Sequence, residues 1–171
     1  MKNNIVIQNI LRFLLLFFLQ TIVLSKVAMG NMLILNILIL FVIMLPTNLG
    51  RIPLLLLSFA AGLLLDITTN MLGFQSFAFT IVAFARIIFA DRILLNNEPV
   101  VIARPNIYAV PLQRFSIYVV SLLLLYYLTY IFLEAFTLRN IGTLILSVIL
   151  NVVITWLLIL LYQFLVERKE E

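Results

Sequence analysis

Cysteine and histidine are both absent from this chain of 171 residues. Without them there are no disulfides, thiol nucleophiles, iron–sulfur clusters or usual zinc sites. Every Ser-His or Cys-His catalytic arrangement is excluded as well. Charge is scarce too, at 11% of residues against 65% hydrophobic. A soluble domain is closer to half apolar and a quarter charged. Disorder is excluded by the same numbers, because it requires low hydrophobicity and high net charge. A mean hydropathy of +1.24 marks an integral membrane protein, and apolar runs consume nearly the whole chain, leaving no room for a second, soluble domain. No basic run with interleaved aromatics suggests a nucleic-acid groove.

Six long apolar runs are present: Phe13–Leu24, continuing to Met29, then Met32–Leu45, Ile52–Ile67, Leu72–Ala90, Phe115–Phe136 and Ile141–Val166. They lack strict alternation, so the expectation is helical spans rather than barrel strands. The second and third runs are short for a span. An alternative is that 32–67 forms one hairpin turning at Pro46-Thr47-Asn48-Leu49-Gly50-Arg51. Ala28-Met29-Gly30 weakly resembles a signal-peptide cleavage site, but the long run before it favours an uncleaved first span. Ile5–Leu11, with Asn3, Asn4, Gln8 and Asn9, suits a surface-lying helix leading into that span.

Charge counting sets the expected orientation. With six spans and both termini in the cytoplasm, Lys2, Arg12, Arg51, Arg86, Arg92, Arg104, Arg114, Arg168 and Lys169 fall inside, while Lys26 and Arg139 fall outside. This is a strong positive-inside bias, and a five-span arrangement would split the basic clusters. Tyr126, Tyr127 and Tyr130 then fall toward the outer end of the fifth span, and Tyr162 toward the inner end of the sixth. Such rings suit either the headgroup level or packing between helices. The cytoplasmic connection Asp91–Arg114 is interrupted by Pro99, Pro105 and Pro111, so it cannot be one continuous helix. It reads either as a loop lying on anionic headgroups or as a docking surface for a cytoplasmic partner.

Polar residues at depth are the candidate functional groups. Asp66 ends the third run, where a carboxylate reaching the hydrocarbon needs a partner, water or neutralisation. With Asn70 and Gly73 close behind, Asp66–Gly73 reads either as a capped helical hairpin or as a contact for a ligand, proton or partner. Arg86 lies too far along the returning helix to pair with Asp66, about 24 Å by helical rise. It is expected to snorkel to the cytoplasmic headgroups. Ser147, Asn151 and Thr155 share one helix face, and Gln20 and Asn36 are further polar residues at depth. Such groups serve as interhelical hydrogen bonds or line a small cavity. Glu134 is the one other acid near a span, so paired carboxylates for acid–base chemistry are lacking. No nucleotide loop or catalytic motif is found, and no catalytic, cofactor or metal residues are assigned.

The stretch Gly62-Leu63-Leu64-Leu65-Asp66-Ile67-Thr68-Thr69-Asn70-Met71-Leu72-Gly73 resembles the Gly-x-x-x-Asp-x-x-x-x-x-x-Gly pattern of the rod shape-determining protein MreD family. As there, an apolar helix ending in a basic residue follows, here Phe77–Arg86. Arg12-Phe13 with Gln20, and Leu45-Pro46, resemble Bacteroidetes-type members. The resemblance covers most of the chain by length and layout, with motif support at 62–86 and in the N-terminal third. It implies a non-enzymatic inner-membrane scaffold of the cell-elongation machinery, without cofactors. The implied partners are the periplasmic protein MreC, the actin-like filament protein MreB, peptidoglycan synthases and membrane lipids. The implied fold is all-α, similar to the six-helix substrate-binding component of energy-coupling-factor transporters. Gly62, Asp66, Asn70, Gly73 and Arg86 are the motif or partner-contact candidates. The alternative is a vitamin-type transporter subunit with Asp66, Asn70, Gln75, Asn151 and Thr155 lining its pocket.

Overall fold

The computed structural model describes residues 2–23, 33–47, 49–71, 73–94, 105–135 and 141–166. All regular structure among them is helical. The elements are α1 (Lys2–Phe18), extended by a π-helical turn (Leu19–Val23), α2 (Ile39–Met44), α3 (Arg51–Thr69), α4 (Phe74–Phe89), extended by a second π turn (Ala90–Leu94), α5 (Leu112–Ala135) and α6 (Ile141–Val166).

Among the described residues, three helices are long and apolar enough to cross a membrane: Arg51–Thr69, Leu112–Glu134 and Gly142–Val166. Their outward faces carry the apolar side chains that water would not tolerate in such numbers. On α3 these are Ile52, Leu56, Phe59, Leu63 and Ile67, at helical spacing along one stripe. On α6 they include Ile145, Ile149, Val153, Leu157 and Leu161. The protein is therefore a helical membrane protein, with lipid as the solvent of these faces.

The sixth apolar run and α6 coincide, α3 extends its expected run at both ends, α5 extends its run at the N-terminal end, and α4 falls just inside its run, with the π turn continuing beyond it. The helix α1 runs unbroken from Lys2 through the N-terminal stretch into the first apolar run. One element differs from expectation. The second run, expected to be helical over 32–45, is helical only over Ile39–Met44, and residues 33–37 are non-helical. The run reads apolar throughout, but Asn36 turns its side chain back onto Leu38 N–H at 3.0 Å. That local bond competes with helix formation.

This short element is the centre of the bundle. Residues 36–46 are all buried, and α2 packs against α1, α3, α4 and α5. The chain leaves it through the expected turn, where Leu49 N–H bonds the Pro46 carbonyl oxygen at 3.3 Å and Gly50 precedes α3. Pro53 sits in the first turn of α3, where its missing N–H costs nothing. The α3–α4 hairpin is the closest pairing, and α5 packs against both α4 and α6. Before α5, Asn106 Oδ1 accepts from Tyr108 and Ala109 N–H at 3.1 and 2.6 Å, an Asx turn that ends at Pro111. The Ala28-Met29-Gly30 site, Lys26, Glu98, Pro99, Arg104 and Arg139 lie outside the described residues.

Candidate functional site

The α3–α4 hairpin accounts for four of the five motif candidates. α3 ends at Asn70, whose φ of 54° is the left-handed conformation that asparagine tolerates. Gly73 follows at φ +87° and is the residue before α4. As a glycine it has no side chain to cap the helix, and Asp66 of α3 does so instead. Its Oδ1 accepts from Gln75 N–H at 3.0 Å, and its Oδ2 accepts from Ser76 N–H at 2.9 Å and Ser76 Oγ at 2.7 Å. A carboxylate at a helix N-terminus also has the favourable sign for the helix dipole. Gly62, one turn earlier on α3, makes room for this. A Cβ there would stand 2.5 Å from Ser76 Cα and 2.7 Å from its nitrogen. Asp66 is 2% exposed, so the capped-hairpin reading of this stretch is the one the geometry matches.

Arg86, the fifth candidate, does not snorkel. It is 3% exposed and turns into the bundle. Its Nε donates to the Ile43 carbonyl oxygen at 3.3 Å and to the Tyr118 hydroxyl at 3.1 Å, and its Nη2 donates to the Leu45 carbonyl oxygen. The cause is the early end of α2. Carbonyls left without helical partners at that end need donors, and a cation there suits the dipole. Asp66 and Arg86 do not pair. Ser76 and Arg86 are separated by ten residues of α4, about 15 Å of rise.

Between these two charges the non-helical stretch before α2 is held by side chains. Ile34 N–H donates to Asn151 Oδ1 at 2.7 Å. The Gln20 amide accepts from Ile37 N–H and donates to the Leu35 carbonyl oxygen, both at 2.9 Å, as a neighbouring strand's peptide would. Asn36 N–H donates to the Tyr127 hydroxyl at 3.2 Å. An unpaired backbone group in lipid costs several kcal/mol, so non-helical backbone survives at this depth only inside protein or beside water.

The same side chains bond one another. Asn36 Nδ2 donates to Tyr126 Oη at 2.7 Å and to Gln75 Oε1 at 3.1 Å, and Tyr126 donates to Gln75 Oε1. Tyr127 and Thr155 hydroxyls meet at 2.5 Å. Asn151 Nδ2 returns to the Ser147 carbonyl at 2.8 Å. On the shared face of α6, Thr155 thus ties the helix to α5 and Asn151 ties it to residue 34, while Ser147 enters through its carbonyl within the helix. Tyr126, Tyr127, Tyr130 and Tyr162 are buried, which matches the reading of packing between helices. Tyr126 stacks on Tyr130 with centroids 6.1 Å apart and meets Phe79 edge-on at 5.7 Å.

Of the residues expected to line a ligand pocket, Asp66, Gln75, Asn151 and Thr155 join this network, and Asn70 is exposed at the hairpin. Gln20 and Asn36 prove more central than their sequence context indicates. The roles of Tyr118 and Tyr127 have only one sequence signal, hydroxyl-bearing rings within a long apolar helix. One buried acceptor is left over: Gln163 is fully buried, its Nε2 donates to Met44 Sδ at 2.9 Å, and its Oε1 has no partner among the described residues. Among the described residues no three acid, His or Cys side chains gather as a metal group. Glu134 is exposed near the end of α5. The arrangement supplies hydrogen bonding and shape. In comparison with known proteins, no family model, curated protein or solved structure matches this chain.

Proposed function

We propose that this chain is a non-enzymatic scaffold subunit of the bacterial cell-elongation complex, of the MreD type. In this reading it sits in the inner membrane with six membrane-embedded segments and both termini cytoplasmic, and it regulates cell shape and lateral peptidoglycan synthesis. Its partners are an MreC-like periplasmic protein, an MreB-like filament and the peptidoglycan synthases of that complex. The observation that carries the reading is that the polar side chains at depth bond one another and the backbone of 33–38. Their capacity goes into fixing a shape, which is what a scaffold requires, and the apolar outer faces are left for neighbouring proteins and lipid. The motif Gly62-Asp66-Gly73 supports it further, since all three residues build one close hairpin.

Clean depletion in the native host, with crosslinked pull-down from detergent extract, tests the proposal. Rounded or widened cells and co-recovery of wall-synthesis proteins are expected. Unchanged cell shape after complete depletion would sink it.

A second reading is a substrate-binding subunit of a small-molecule transporter, with the corresponding six-helix fold. The discontinuous element 33–45 favours it, because transporter sites are built where a helix breaks inside the bundle. A stoichiometric vitamin-like molecule in the purified protein would support this reading, as would recovery of energy-coupling ATPases. A ligand-free preparation that binds none on addition would remove it.

A further inference from the structure

Arg86 is a buried cation whose bonded partners are all neutral: two backbone carbonyls and a tyrosine hydroxyl. Among the described residues it has no carboxylate partner. A guanidinium carries five N–H donors in a planar fork. Nε and Nη2 make the bonds just named, and Nη1 makes none among the described residues. The free edge of the fork is shaped for two-point recognition of a phosphate or carboxylate oxygen pair.

Position narrows the anion. Arg86 lies in the last turn of α4, and the π turn that follows carries the exposed pair Asp91 and Arg92, which is neutral in sum and leaves Arg86 and Arg114 as the net charge of the seam. Tyr118, which meets the Arg86 Nε, lies on α5 one turn after the exposed Arg114, on the same helical face. α5 packs against both α4 and its π turn. The α4–α5 seam therefore carries arginine from its exposed end to its buried interior. In the six-segment placement proposed above, the end of α4 and the start of α5 meet the cytoplasmic face, where the anion at hand is the phosphodiester of a lipid headgroup, and juxtamembrane basic groups attract it. Among the exposed side chains beside the seam, Ile88 on α4 and Ile117 on α5 are apolar and suit acyl chains.

We propose that the α4–α5 seam binds one anionic phospholipid, with its phosphate on the free edge of Arg86 and Arg114 at the rim. The site rests on the membrane placement proposed above, and lipid binding by the purified chain tests it independently of any effect on cell shape. The test is native mass spectrometry of the delipidated full chain in neutral detergent, titrated with dioleoylphosphatidylglycerol, dioleoylphosphatidylcholine or inorganic phosphate. Wild type is expected to retain one phosphatidylglycerol, with Kd about tenfold below that for phosphatidylcholine. Arg114→Gln should weaken it about fivefold while leaving the melting temperature unchanged. Arg86→Lys, which keeps the charge and removes the fork, should abolish the preference. Because Arg86 also holds the end of α2, Arg114→Gln decides the matter if Arg86→Lys does not fold. Equal retention of both lipids, or wild-type affinity in the folded variants, overturns the proposal. One-for-one displacement by inorganic phosphate overturns it too, by making the site one for a soluble anion.

Discussion

Gly62 lies so close to Ser76 that a methyl group on it would stand 2.5 Å from the Ser76 Cα. The obstacle is backbone, which cannot swing aside as a flexible side chain can. Gly62→Ala is therefore expected to splay the α3–α4 hairpin and to cost about 1–3 kcal/mol, the usual range for overpacking. Gly142→Ala is the matched control, since nothing lies within 4 Å of its added Cβ. It should be neutral or gain up to about 1 kcal/mol from helix propensity. Thermal unfolding of both variants in one detergent checks the contrast, and equal melting temperatures would refute it.

Asp66 supplies α4 with the cap that Gly73 cannot. Asp66→Ala leaves the Gln75 and Ser76 N–H groups without acceptors and should cost about 2–4 kcal/mol, combining a lost cap with buried orphan donors. Asp66→Asn keeps one acceptor oxygen and turns an N–H toward the other donors, so an intermediate loss is expected. A ranking of wild type, Asn, then Ala in melting temperature is the outcome to look for. If Asn matches wild type in stability but fails to assemble with partners, the carboxylate has a role beyond the cap.

Tyr127 and Thr155 couple α5 to α6 through one hydroxyl pair, and Tyr127 also accepts from Asn36 N–H. Tyr127→Phe should cost about 1–3 kcal/mol by orphaning that N–H. A double-mutant cycle with Thr155→Val should give a coupling of about 0.5–3 kcal/mol, the range for residues in contact. Additive losses would show that the two hydroxyls act independently.

Gln163 works in the opposite direction. Its Oε1 is buried without a partner and its Nε2 rests on a thioether. Gln163→Met keeps the length and removes the orphan acceptor. A rise in melting temperature is expected, equivalent to about 1–3 kcal/mol at most. A fall would mean that Oε1 has a partner in the membrane-embedded protein.

The helices with uninterrupted apolar runs were legible in the sequence. Ile141–Val166 is α6, end to end. The Asp66–Gly73 hairpin was legible too, because an acid, an asparagine and a glycine within eight residues carry local turn and cap chemistry. What hydropathy could not show is where backbone groups find partners. Leu33–Leu45 reads as a uniform apolar run apart from Asn36, yet half of it is non-helical. The bonds that permit this come from Gln20, Tyr127 and Asn151, which lie 15 to 117 residues away along the chain. The inward turn of Arg86 is hidden for the same reason, since its acceptors exist only because α2 ends inside the bundle, which a positive-inside count does not register. Position along α5 leaves headgroup level and interhelical packing both open for its tyrosines, and only the fold shows that their faces turn inward to the network.

The dependence of residues 33–38 on α6 has a consequence for biosynthesis. Ribosomes deliver α1 and the segment before α2 long before Asn151 emerges, and Ile34 N–H has its acceptor on that late residue. Until then the first half of the chain carries an exposed peptide edge that bulk lipid cannot satisfy. The insertion machinery, or water within it, must shelter this edge while the remaining helices are threaded. Entry of α6 is thus the step that closes the bundle, and a nascent chain stopped short of Asn151 should stay associated with the insertion channel instead of partitioning freely into the bilayer.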